Sequence, residues 1–256
     1  MKTYSDITIH HPFSSSVQKE KYLLSYNGQY YEASHAIVEL VEELQRYEEE
    51  KAAIEAYVRK KEGKYTPEQV REVIEKFIDP IFRAVPKKRS FLYEKELFSA
   101  GAIDRFSDTF RFLFHKAYMM VVLVGMLALD TWFFFTTSDL LLFNNKVNIY
   151  MVAGLLVFMF ASSFFHELGH ASACKYFGVR HGGIGFGLYL NFPVLYTDVT
   201  EVWKLNRAQR CVVNLAGVYF QSYWLIALLV AFLITGNDIL RAFFPTMKLV
   251  QARALI

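Results

Sequence analysis

From Val147 to Phe165 the chain runs nineteen residues, VNIYMVAGLLVFMFASSFF, without a charge. The next five residues are His166-Glu167-Leu168-Gly169-His170. A run of that length is sufficient to cross the hydrocarbon core of a bilayer as a helix. In lipid the backbone must satisfy its own hydrogen bonds, which leaves the helix as the form for an isolated apolar run without alternation. Two histidines four apart on that helix project from one face, with Cβ atoms roughly 5–6 Å apart. Both imidazoles can then reach one Zn²⁺ at about 2.0–2.1 Å. Glu167 lies between them, placed as a general base rather than as a ligand, to take the proton of a water activated by the metal. The bland alternative is a helix whose polar end merely caps a span. It leaves two His and a Glu at the mouth of the most apolar segment without a purpose, although ionisable groups at membrane depth are costly and usually functional.

The chain is 54% hydrophobic yet 21% charged. The two figures reconcile because the charges are segregated. Most fall in residues 1–116, including Glu48, Glu49, Glu50 and Lys51, and Lys87, Lys88 and Arg89. The expected architecture is mainly α: polytopic membrane helices with a re-entrant or β-hairpin segment, plus a small N-terminal α+β soluble domain. That domain is expected over residues 1–86, a juxtamembrane linker or interfacial helix over 87–116, and a membrane-embedded core over 117–256. A net charge of +3 is too small to argue for nucleic acid. Two cysteines, Cys174 and Cys211, make no disulfide framework. Cys174 sits one turn beyond His170, where a buried thiol is a simpler reading than a ligand. The first thirty residues lack the apolar core of a signal peptide.

Within the soluble part, Asn27-Gly28 between short aromatic runs signals a two-residue hairpin. Ser34 is placed to cap a helix over His35–Lys61, and Thr66-Pro67 to open a second that ends near Pro80. Arg105, Arg111, His115 and Lys116 interleave with phenylalanines, as in a helix lying at the membrane surface. Spans are expected near residues 117–137, 147–168 and 211–235. The tail from Asp238 is too short and too charged to count as a complete span. The segment 182–197, GGIGFGLYLNFPVLYT, is too short and glycine-rich to span and reads as a re-entrant or sheet-like hairpin. Its edge could hold an extended substrate by strand addition. The excess of Lys and Arg before residue 117 and within 171–210, against one Lys in the connector 138–146, places the N-terminus and the His-Glu-Leu-Gly-His end in the cytosol.

Phe165–Ala171, then the GIGFG segment, then Asn214-Leu215-Ala216-Gly217 opening a later span, resemble the site-2 protease family of intramembrane zinc metalloproteases. Where that family usually has Ala-Gly-Pro, this chain has Val218 in place of the proline. Tyr196-Thr197-Asp198-Val199-Thr200-Glu201-Val202-Trp203, followed by basic residues, is similar to a bacterial branch, the peptide zinc metalloproteases found with peptide export and maturation systems. The match covers about residues 110–235. It implies a bacterial inner-membrane endopeptidase with Zn²⁺ held by His166 and His170 and with Glu167 as base. It further implies a peptide or membrane-protein substrate, and peptide export or maturation proteins as partners. The N-terminal hairpin and helices resemble the small winged-helix domain that holds a leader peptide in ribosomal peptide maturation enzymes; a generic α+β regulatory domain is the other reading. The family takes its third zinc ligand from an Asp-Gly motif on a later span, and no Asp-Gly occurs here. The third ligand is therefore expected beyond Ile256, with Asp198 as the in-chain rival. Asn214 and Gln221 are candidates for holding substrate, or else make hydrogen bonds between helices. The alternative function is a non-catalytic membrane component of a peptide export system that keeps the protease fold.

Overall fold

A computed structural model describes residues 3–13, 21–84, 91–136, 149–189 and 192–253. The basic stretch Lys87–Arg89, the connector 138–146 and Val147 at the expected start of the second span lie outside the described residues. The chain divides into two compact units, Met1–Arg89 with Trp203–Arg207, and Ser90–Val202 with Ala208–Ile256.

In the first unit, β1 (Thr8–Phe13), β2 (Lys21–Tyr26) and β3 (Gln29–Ala33) form an antiparallel sheet in that order. The turn between β2 and β3 is the expected one. Asn27 and Gly28 both have positive φ, 48° and 73°, the pattern of a type I′ turn whose twist matches the flanking strands. Ser34 caps as expected, accepting from the Ile37 amide. The single helix expected over 35–61 is instead two, α1 (His35–Arg46) and α2 (Glu50–Lys60). The cause is the acidic run Glu48-Glu49-Glu50. Carboxylates are unfavourable at the negative C-terminal end of a helix and favourable at the positive N-terminal end of the next. Thr66 and Gln69 form a complete capping box at the start of α3 (Pro67–Val73). The helical path also passes Pro80 rather than stopping there. A π-helical turn over Ile74–Ile78 opens the hydrogen-bond ladder, and α4 (Asp79–Arg83) takes Pro80 in its first turn, where a missing N–H costs nothing. Leu24, Val38, Val41, Leu44, Ile54, Val70, Ile74 and Ile78 belong to one buried core.

The second unit begins with β4 (Phe91–Phe98), which was not legible in the sequence because its residues are almost all exposed. It pairs with β5 (Ile184–Tyr189), which pairs with β6 (Phe192–Thr197), so the expected hairpin is two strands of a three-stranded antiparallel sheet. The glycines of GIGFG make room for rings lying across this sheet. A Cβ on Gly187 would meet the Phe91 ring, and one on Gly185 the Tyr196 ring; the two rings stack 5.0 Å apart.

Helix α5 (Ala100–Phe110), capped by Ser99, leads through a 3-10 turn into α6 (Lys116–Thr136). Then come α7 (Ile149–Tyr176), α8 (Arg207–Thr235) and α9 (Asp238–Arg253). Helices α6, α7 and α8 are long and apolar enough to cross a membrane. Two of them exceed the expected limits: α7 continues to Tyr176, and α8 starts four residues before Cys211. The site-side end of α7 is tied to α5 by Lys175 on Asp104 at 2.5 Å, and the loop after α7 by a 3.0 Å hydrogen bond between Ser107 and His181. Helix α9 packs on this unit through one apolar face. Phe243, Phe244 and Met247 are buried with Leu225, Leu228 and Leu229 of α8 and Phe133 of α6. Its far end folds back along α8, where Gln251 Nε2 donates to the Val218 carbonyl at 2.9 Å and to Ser222 Oγ at 2.6 Å.

Candidate metal centre

His166 and His170 stand on one face of α7, as their spacing requires. Their Nε2 atoms approach to 3.1 Å and their rings are nearly perpendicular. At that separation the two nitrogens could hold one Zn²⁺ between them.

Helix α8 moulds both rings. Nδ1 of His170 hydrogen-bonds the Val213 carbonyl at 2.7 Å. That bond places the ring proton on Nδ1 and leaves the Nε2 lone pair toward His166, the arrangement usual for ligating histidines. Gly217 packs flat against His166; a Cβ there would lie 2.5 Å from Cε1 and Nε2 of the ring. A Cβ on Gly169, within the motif, would strike the Ala216 carbonyl. The four-residue step 166–170 on α7 thus meets the four-residue step 217–213 on α8, running the opposite way. The sequence marked Asn214–Gly217 only through its resemblance to other proteins. The role of the Val213 carbonyl was invisible, because a backbone acceptor has no residue signature.

Glu167 is 9% exposed and lines a cavity of about 340 Å³ together with His166. The remaining walls are Met159, Phe160 and Ser163 of α7, Gln221 of α8, and Phe186, Pro193, Val194 and Leu195 of the hairpin. Met159 is seven residues before His166, so the cavity extends about 10 Å along the helix toward the middle of the span. Thr197, at the end of β6, donates to the Glu167 backbone carbonyl at 3.4 Å and holds the strand to this turn of α7.

The other sequence candidates are placed differently. Asp198 follows β6, and its Oδ1 accepts from the Thr200 amide at 2.9 Å and from Thr200 Oγ1 at 2.5 Å, opening a 3-10 turn. Among the described residues no third His, Cys, Asp or Glu gathers with the motif into a metal-holding group. Asn214 is exposed on α8 and does not line the cavity. Gln221 does line it. Cys174 is fully buried and Cys211 exposed, and neither forms a disulfide.

No family model matches the chain, and no solved structure matches it. A search of curated proteins finds similarity to a Bacillus subtilis (strain 168) protein named "Putative peptide zinc metalloprotease protein YydH", 32% identical over 73 residues. The match covers 28% of this chain and 29% of that protein, so the chain spans under a third of its relative's length. It gives distant support for a relationship to a protease family.

Proposed function

We propose that the chain carries the His-Glu-x-x-His half of a membrane zinc endopeptidase site that cleaves a peptide or a membrane-bound protein near the cytosolic face. The observation that carries this reading is the approach of the His166 and His170 Nε2 atoms to 3.1 Å, with His166 lining a cavity that Glu167 also lines. Zinc bound there would supply Lewis acidity, acidifying water and polarising a peptide carbonyl. Glu167 would accept the proton of the attacking water and return it to the leaving amine. The cavity walls from Met159, Phe160 and the hairpin would exclude bulk solvent while the β6 edge, unpaired on its far side among the described strands, aligns an extended peptide beside the base. Asn214, on the exposed surface of α8, would at most touch a substrate outside the cavity. A third ligand is needed to complete the site. We place it outside the groups seen to converge here, with Asp198 requiring release from Thr200 to serve.

The similarity to a protein named as a peptide zinc metalloprotease favours a peptide substrate, and a place in peptide maturation or export is part of the same proposal. In that setting the first unit would act as the winged-helix-like recognition domain, and the inner membrane would be the location. A second reading, a non-catalytic membrane component that keeps the fold, is favoured by the lack of a third converging ligand among the described residues. Glu167→Gln separates the two. With zinc content matched, the variant should lose on the order of 10²–10⁴ in peptide hydrolysis while both histidines keep their metal. Equal hydrolysis by variant and wild type would remove Glu167 as base. Absence of zinc-dependent hydrolysis in the full-length wild type would favour the second reading.

A further inference from the structure

The two histidines are not equivalent. When both Nε2 atoms bind a metal, each ring must carry its proton on Nδ1, and each Nδ1–H needs an acceptor. His170 has one, the Val213 carbonyl. His166 Nδ1 is buried and makes no hydrogen bond. A second orphan lies nearby: Gln221 Oε1 is also buried without a partner, on a side chain only 3% exposed. The Gln221 amide borders the same cavity as His166 and lies beside its imidazole. Its other end is already committed, since Gln221 Nε2 donates to Ser162 Oγ at 3.4 Å, one turn before His166. With the NH₂ group fixed on Ser162, the carbonyl is the end left over. A lone buried donor and a lone buried acceptor, each costly while unsatisfied, are matched in chemistry.

We propose that Gln221 is the positioning residue for the His166 ligand: its Oε1 accepts the Nδ1–H of His166 when Nε2 binds zinc, fixing the tautomer and the ring plane. Ser162 orients the amide for this task. The two histidines are then held in parallel fashion from α8, one by a backbone carbonyl and the other by a side-chain carbonyl. The inference rests on the metal reading of the site, and the experiment below distinguishes failure of one from failure of the other.

The test is Zn²⁺ affinity of the purified, detergent-solubilised full-length protein by chelator competition, with the visible spectrum of the Co²⁺-loaded protein as a second readout. Gln221→Met, similar in size but without an acceptor, should bind Zn²⁺ about 10–100-fold more weakly and alter the Co²⁺ bands. Gln221→Glu restores an acceptor and should bring affinity back to the wild-type level or above. A side chain that merely bridged helices through its NH₂ group would not be rescued in this way. Ser162→Ala should cost less than Gln221→Met, because the acceptor remains. His166→Ala serves as reference and should abolish tight binding. If His166→Ala weakens binding but Gln221→Met stays within twofold of wild type, or if Gln221→Glu is as weak as Gln221→Met, the positioning role is overturned and the metal site stands. If His166→Ala leaves Zn²⁺ binding unchanged, the metal reading falls and this inference with it.

Discussion

Lys248 of α9 donates to the Asp130 carboxylate of α6 at 2.5 Å. Asp130 sits on an apolar helix, where an unpaired charge would be expensive. The pair joins α9 to α6. The lysine is neutralised by a partner 118 residues earlier, which no local reading of 238–256 contains.

We expect the pair to be coupled. Asp130→Asn and Lys248→Met should each destabilise the second unit, because each leaves the other charge without its counter-ion. The double variant should be less damaged than the sum of the two, by about 0.5–3 kcal/mol in a double-mutant cycle read by thermal unfolding in detergent. Strict additivity would mean that the contact contributes nothing to holding α9 in place.

Gly217→Ala tests the mould around His166. The added Cβ would press on the imidazole at 2.5 Å, so ring or helix must move. The expected result is a marked loss of zinc retention with an overpacking cost of about 1–3 kcal/mol. The same substitution at Gly154, where a Cβ meets nothing within 4 Å, should change neither. Equal zinc content in all three proteins would show that the α7–α8 contact does not shape the site.

The orientation proposed from charge can be checked with a native thiol. Cys211 is exposed at the start of α8, beside the basic residues assigned to the cytosol. In intact cells it should react only with a membrane-permeant reagent. A cysteine introduced at exposed Asn237, in the turn between α8 and α9, should react with an impermeant one once Cys211 is replaced by Ser. Impermeant labelling of Cys211 would reverse the topology.

The first unit should be acid-sensitive at a definable place. Lys61 hydrogen-bonds Glu39 at 2.5 Å and holds its carboxyl below the ordinary value of 4.5. A depressed carboxyl contributes stability that is full above its ordinary value and is lost as pH falls through its lower folded value. The same contact raises Lys61 above 10.5, so on the alkaline side the contribution fades as pH rises through that higher value. Lys61→Met should therefore flatten the acid limb. Hydrogen exchange of α1 and α2 amides should differ between variant and wild type at neutral pH and converge well below pH 4. A constant difference at all pH values would assign the effect to packing of the lysine stem instead.

What could be read in advance was local. Asn27-Gly28, the Ser34 and Thr66 caps, the apolar runs behind α6, α7 and α8, and the glycine-rich hairpin each declare themselves within a few residues. What could not be read depends on distant partners or on backbone. Strand β4 has no alternation to betray it, and only pairing with β5 makes it a strand. The break between α1 and α2 was visible in Glu48–Glu50 but was outweighed by the apolar spacing on either side. At the candidate site, the motif names the proposed ligands and base. Their supports, Val213 and Gly217, lie more than forty residues away on another helix. Gln221 shows in the sequence only as a polar residue in a span; that it borders the same cavity as His166 follows from the fold.

The opposed steps of α7 and α8 carry a consequence for the lipid. His166 fits against α8 only where Gly217 stands, and His170 finds its acceptor only at Val213. Sliding one helix along the other by a single residue, about 1.5 Å, would bring a carbon against one ring and take the carbonyl from the other. Bilayers thinner or thicker than the spans make helices tilt and shift against their neighbours. Acyl-chain length thus becomes a variable of the metal chemistry: zinc retention in vesicles should peak at one bilayer thickness and fall on both sides, whereas a ligand pair supported by α7 alone would be indifferent to it.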